Sequence, residues 1–298
     1  MLTVSSVFLT HPDLFIAVVG LFGLLVGSFL NVVVHRLPLM LERAWQAQEL
    51  AANPQHEEGS DAAQTGEAFN LAVPRSHCPQ CLHTLSAWEN IPVLSYLLLR
   101  GRCHGCSTHI SVRYPLVEIA SGLLAMFVAA KFGYSLTTLV TLLFSWALLC
   151  VSLIDFDHQI IPDDISLPLL WLGLVATALG YGVPGVTLYD AVIGASAGYL
   201  SLWGLYWAFL LATGKHGLGY GDFKLLAALG AWLGWQALLA VVLLASLAGA
   251  VCGVLLITLG NRDKSQPMPF GPFLAGAGFL MLIWGPQLIA GYAALFIA

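Results

Sequence analysis

Residues 135–154 read SLTTLVTLLFSWALLCVSLI without a single charge, and the next four are Asp155, Phe156, Asp157 and His158. About 20 apolar residues are what a helix needs to cross the roughly 30 Å hydrocarbon core of a bilayer. Asp155 sits about one turn inside the expected boundary, where no helix start needs capping. A carboxyl group in that position is costly and marks function by default. Runs of similar length recur at 14–34, 114–132, 165–181, 188–212, 236–259 and 272–297. Pro168 is tolerable in a packed bundle, where neighbours satisfy the freed carbonyl. A shorter run, 223–234, is cut by Gly230 and Gly234, and with Trp232 and Trp235 it predicts a tight hairpin with the helix that follows. The fold class expected is an all-α polytopic membrane protein of about eight transmembrane helices.

Composition agrees. Charged residues make up 9% of the chain and hydrophobic ones 58%, against about 25% charged in a soluble domain. Too few charges are available to build a water-facing surface. Residues 1–12 hold no Lys or Arg, so the first apolar run reads as a retained helix and not as a cleaved signal. With the N-terminus outside, eight helices place Arg36, Arg43, Arg75, Arg100, Arg102, Arg113, Lys215, Lys224, Arg262 and Lys264 on the inner side, and leave Lys131 outside. That asymmetry orients the chain by the positive-inside rule and supports counting the short run as a crossing.

The first inner segment differs from the rest. Residues 40–72 are rich in Ala, Gln and Glu: LERAWQAQELAAN reads as a surface helix, and EEGSDAAQTGE as a flexible acidic linker. Two Cys-x-x-Cys knuckles follow, Cys78-Pro79-Gln80-Cys81 and Cys103-His104-Gly105-Cys106. Four thiolates at this spacing suit a tetrahedral structural zinc, with no open position for a substrate. The expectation is a small cytoplasmic zinc-ribbon-like module. Surrounding histidines, His77, His83, His104 and His109, read as surface residues, and Cys150 and Cys252 as small core residues. No internal repeat is evident, and no nucleic-acid partner is expected beside membrane lipid.

A second acidic position stands in Gly219-Tyr220-Gly221-Asp222-Phe223-Lys224, where the glycines permit a close backbone approach at a helix start. The bland reading of Asp222 is a helix cap. Asp157, Asp163 and Asp164 read as solvated loop or cap residues, and Lys224 as an anchor at the inner face. Two carboxyls facing each other cannot both ionise, so Asp155 and Asp222 would share a proton and titrate as a unit. Such a pair is the machinery of an aspartyl protease.

The chain resembles the bacterial type IV prepilin peptidases, the GxGD-type aspartyl proteases that act as leader peptidase/N-methyltransferases of type IV pilus and type II secretion systems. The resemblance rests on Gly27-Ser28-Phe29-Leu30-Asn31 through Arg36-Leu37-Pro38, both knuckles, Glu89-Asn90-Ile91-Pro92, and Arg113-Tyr114-Pro115-Leu116-Val117-Glu118. It continues through Ile154-Asp155, Ile161-Pro162-Asp163 and the Gly-x-Gly-Asp motif at 219–222. The acidic 40–72 insertion departs from the common pattern.

This resemblance implies that Asp155 and Asp222 are catalytic. The implied substrates are type IV prepilins and type II secretion pseudopilins, cut after a glycine at the inner membrane's cytoplasmic face. The new N-terminal residue, usually Phe, would then be methylated from S-adenosylmethionine. No Gly-x-Gly-x-x-Gly fold suggests the donor. The resemblance points to Gly101, Arg102 and Glu118 for methyl transfer, with Asn90 and Arg113 beside them. The organisation expected is a first transmembrane helix at 1–39, the acidic insertion at 40–73, the zinc module at 74–113 and a transmembrane protease bundle at 114–298. Two rivals keep the helices but change the function. A proton-coupled or ion transporter would use the aspartates, though transporters bind near the midplane. A non-enzymatic zinc-bearing assembly factor leaves Asp155 without a purpose.

Overall fold

The structure is a computed structural model that describes residues 4–52, 69–259 and 268–297, with side chains described to residue 289. The acidic stretch of the insertion, Arg262 and Lys264 lie outside the described residues. Ten helices follow in order: α1 (Val4–Thr10), α2 (Pro12–Ala52), α3 (Leu94–Leu98), α4 (Arg113–Phe132), α5 (Leu136–His158), α6 (Asp163–Ala178), α7 (Leu188–Thr213), α8 (Tyr220–Leu233), α9 (Trp235–Thr258) and α10 (Gly271–Ile297). The described residues contain no β-strand, only two isolated bridges. Among the described residues, six helices are long and apolar enough to cross a membrane: α2, α4, α5, α7, α9 and α10. The all-α polytopic class therefore holds, while α6 and α8, expected to complete eight crossings, are shorter, at 16 and 14 residues.

Those two short helices differ from the long ones in what surrounds them. At 1.5 Å per residue α8 extends only about 21 Å, too short for the bilayer core. It is buried instead: from Asp222 to Leu233, only Lys224 is not. Trp232 shows why. Its ring lies 4.7 Å from that of Phe144 of α5, and its indole N–H donates to the carbonyl of Leu169 in α6 at 2.8 Å. On another side, Gly194 of α7 meets Gly230 of α8 backbone to backbone, with no room for a Cβ on either. In contrast, α9 turns Leu239, Leu243, Leu247, Val251 and Val254 outward. A helix that is apolar where exposed is one that faces lipid. The expected hairpin is present, with Gly234 alone separating α8 from α9.

The chain divides into two compact units, residues 1–19 with 124–298, and residues 20–123. In the first, Phe8 and Phe15 meet the ring of Tyr134. The second differs from expectation at one point. Helix α2 does not stop near Pro38 but continues for 41 residues to Ala52, merging the first crossing with the surface helix. Leu, Glu, Arg, Ala and Gln in residues 41–52 are strong helix formers, and they carry the helix beyond the one bond that Pro38 removes. The buried Arg36 then receives the returning chain. Its guanidinium donates to the carbonyls of Asn70, Leu71 and Pro74 at 2.6–3.3 Å, while Arg43 stacks over Phe69 at 4.1 Å.

Candidate active site

Asp155 lies in the last turn of α5 and is 5% exposed. One of its carboxylate oxygens, Oδ2, accepts the backbone N–H of Gly271, the first residue of α10, at 2.9 Å. Asp222 is the third residue of α8 and 7% exposed. Its Oδ2 accepts the N–H of Gly219 at 3.3 Å, so the cap reading is correct as far as it goes. It is incomplete, because α10, whose first residue holds Asp155, also packs against α8. Asp155 and Asp222 stand 67 positions apart in sequence (155 to 222), and packing bridges that separation. Ile161, in the turn between α5 and α6, lies against the starts of both α8 and α10. A Cβ at Gly221 would come within 2.7 Å of Ile161 Cβ, and one at Gly271 within 3.1 Å of its Cδ1. In the Gly-x-Gly-Asp motif, then, the first glycine supplies an N–H and the second supplies space.

Residues around the pair also take partners. Lys224 is more than an anchor: its ammonium holds both oxygens of Asp163 at 2.7 Å, joining the first turns of α6 and α8. Asp163 and Asp164 occupy that first turn of α6, as cap-type residues should, and Asp157 is exposed at the end of α5. Sequence reasoning missed an aromatic group beside the motif. The buried Tyr206 hydroxyl lies 2.8 Å from His216 Nδ1 and accepts from the Tyr220 hydroxyl at 3.4 Å. It ties the loop before Gly219 to α7. It also missed Gly271, for which Phe270-Gly271-Pro272 at a helix start was the available signal.

In the second unit the four cysteines come together. Sulphur separations are 3.8 Å for Cys78 and Cys106 and 3.9 Å for Cys81 and Cys103, and all four lie within 4.8 Å of one another. A tetrahedral zinc with 2.3 Å bonds sets its sulphurs about 3.8 Å apart, so this donor set fits zinc. The two knuckles repeat each other despite the apparent lack of repeats in sequence. Leu82 and Ser107 donate N–H to the carbonyls of Cys78 and Cys103, each with positive φ. The bridges His77–Thr84 and Arg102–His109 close the two turns alike.

Not all the histidines are surface residues. His83 is half-buried, and its Nε2 lies 3.2 Å from Glu89, a buried carboxylate that also accepts from the amide and hydroxyl of Ser86 at 2.8 and 2.5 Å. His104 approaches the same carboxylate at 4.0 Å. The Ser86 bonds first, and His83 after them, hold the Glu89 acid down at about 2. These three side chains are also within metal-ligand reach of one another, but the Glu89 oxygens already accept bonds from Ser86 and His83.

The residues expected to serve methyl transfer have structural partners. Gly101, with φ +68°, closes a turn against the Tyr96 hydroxyl, where a Cβ would come within 2.8 Å. Arg102 forms the second knuckle's bridge. Glu118 is buried and accepts the Val93 N–H at 2.8 Å, Ser28 donates to Asn90 at 3.4 Å, and Arg113 begins α4. These contacts do not gather the three into one pocket. A polar cavity lined by Arg75, Ser76, Ser86 and Asn90 holds about 240 Å³, below the roughly 300–1,000 Å³ of ordinary ligand sites. Among the described residues, then, Gly101, Arg102 and Glu118 are each held by structural partners of their own.

Comparison with known proteins covers nearly the whole chain. Residues 21–132 match the model of the bacterial peptidase A24 N-terminal domain, and residues 142–254 that of the type IV leader peptidase family. A prepilin leader peptidase/N-methyltransferase of Aeromonas hydrophila is 55% identical over 281 residues, which is 94% of each chain. Proteins of the same name from Stutzerimonas stutzeri and Pseudomonas aeruginosa are each 51% identical over 95% of both chains. No solved structure matches.

Proposed function

The chain belongs to the type IV leader peptidase family, and we propose that Asp155 and Asp222 are the catalytic pair of its peptidase activity. It is a membrane enzyme that removes the leader peptide of prepilins and N-methylates the product. One observation carries the assignment: these are two buried carboxyls on helices distant in sequence that both pack against α10, each carboxyl steadied by one backbone N–H.

The chemistry follows from one proton shared by two carboxyls. The ionised member takes a proton from water as its oxygen attacks the scissile carbonyl carbon. The protonated member donates a hydrogen bond to the carbonyl oxygen, where negative charge gathers. The tetrahedral intermediate then expels the amine, which leaves with a proton from the pair, and the C–N bond breaks.

Pseudopilins of type II secretion join the prepilins as proposed substrates, with cleavage after a glycine and methylation of the new N-terminal residue, usually Phe. S-adenosylmethionine is the proposed donor. Gly101, Arg102 and Glu118, expected to lie beside it, have the structural partners described above. One zinc on Cys78, Cys81, Cys103 and Cys106 is proposed to be structural, holding two turns that short loops alone would leave loose. The inner membrane is the proposed location, with the cysteine module cytoplasmic, on the strength of the Lys and Arg asymmetry. The cysteine-bearing segment 74–113 is proposed as the methyl-transfer module and the helices from 114 onward as the protease bundle.

The test uses the purified protein, a prepilin and labelled S-adenosylmethionine, with mass spectrometry of the product N-terminus reading cleavage and methylation together. Asp155→Asn and Asp222→Asn should each abolish cleavage while the protein remains folded. Full cleavage by either variant sinks the pair.

A further inference from the structure

The start of α10 is unusual in what it does with its backbone donors. A helix leaves its first four N–H groups without partners inside the helix. Here Pro272 has none to give, and those of Phe273 and Leu274 turn back to the carbonyl of Phe270, both at 3.1 Å. That leaves one N–H pointing away from the helix, on Gly271, and it goes to Asp155 Oδ2. The remaining geometry admits glycine only, since a Cβ at 271 would lie 2.6 Å from that oxygen and 3.1 Å from Asp155 Cγ.

We infer that Gly271 is a positioning residue for the peptidase reaction: its N–H holds Asp155 by Oδ2, so that Oδ1 is the oxygen presented to take the proton from water. The inference rests on Asp155 and Asp222 being the catalytic pair. It gives Asp155 the role of base. Asp155 lies near the C-terminal end of its own helix, where the dipole disfavours an anion, and the N-terminal end of α10 offsets that. Of the two capping amides, the one on Asp155 is the shorter, 2.9 Å against 3.3 Å. The titratable group proposed to face it is Asp222 from α8, the partner in the pair. The absence of a side chain at 271 lets α10 approach closely enough to make the bond.

Amide-to-ester replacement separates this role from packing, because it deletes an N–H without adding a Cβ. Full-length protein would be made by cell-free translation into lipid nanodiscs, with glycolic acid at position 271 or phenyllactic acid at 273. The ester at 271 should lower kcat for leader cleavage about 10- to 100-fold, the worth of one hydrogen bond to a charged group, and leave KM within about twofold. The ester at 273 weakens the same helix start without touching Asp155, and should change kcat by less than about twofold. Gly271→Ala should lose cleavage as well, with little change in KM. Unchanged kcat for the 271 ester overturns the inference, and so do equal losses for both esters, which would mean the helix start matters only structurally. Either result leaves the pair standing, whereas full cleavage by Asp155→Asn removes the pair itself.

Discussion

The cysteine quartet and the aspartate pair are built in opposite ways. Each knuckle closes on itself within a few residues, through the amide bonds of Leu82 and Ser107 and the bridges beside them. The aspartates reach each other only through α5, α8 and α10, with Ile161 lying against the starts of two of those helices. Local turns need a metal to join them, and the helices need a bundle. The first site should therefore respond to metal and the second to packing.

The largest expected effect tests the second site directly. Asp155→Asn or Asp222→Asn should lower kcat for cleavage by at least about 10³-fold, because the shared proton is gone; steady-state kinetics on a prepilin peptide checks this. The zinc content should stay at one ion. Next, Cys78→Ser should lose the zinc, since three thiolates cannot complete the shell. Methyl transfer should fall at least as far as proteolysis. Metal analysis showing stoichiometric zinc with full methylation would count against the assignment.

Smaller effects sharpen the contrast. Gly194→Val would push a side chain into the backbone of Gly230 and Trp235, at a cost of about 1–3 kcal/mol. Thermal unfolding and cleavage should both suffer while zinc binding is spared. For Glu89, the folded acid is held near 2 against an ordinary value of 4.5. Its contribution to stability is therefore fully present above about pH 4.5 and lost as pH falls through about 2. A Glu89→Gln protein should unfold at a lower temperature than wild type near neutral pH, and the gap should narrow as pH falls below about 4.5. Lys224→Met breaks a partly exposed ion pair worth about 0–1 kcal/mol, so kcat should fall only a few-fold and stability hardly at all.

Legibility divided along the same line. The cysteine spacing was sufficient to predict the donor set because a Cys-x-x-Cys turn is closed by neighbours in sequence. The repetition of the two knuckles showed in sequence only as the paired Cys-x-x-Cys spacing, while the matching turns and bridges are backbone features. For the aspartates, Asp155 was evident from its place at the end of an uncharged run, and Asp222 from its motif. Gly271 and the Tyr206–His216–Tyr220 contacts were not, as their partners lie far away along the chain. The short helix α8 was read as a crossing from its apolar residues, which look alike whether they face lipid or protein; the structure adds that it is 14 residues long and buried among other helices.

By itself, then, the sequence determined the all-α class with helices long enough to cross a membrane, four cysteines spaced to suit a metal, and the two acidic positions proposed as the catalytic pair, all of which rest on composition or on spacing within a few residues. Only the tertiary structure decided that α8 is a core helix, that α2 runs on past Pro38, and that a backbone amide of α10 meets Asp155. Those features depend on which surfaces exclude which, and that is settled when helices distant in sequence pack closely enough for a single Cβ to matter.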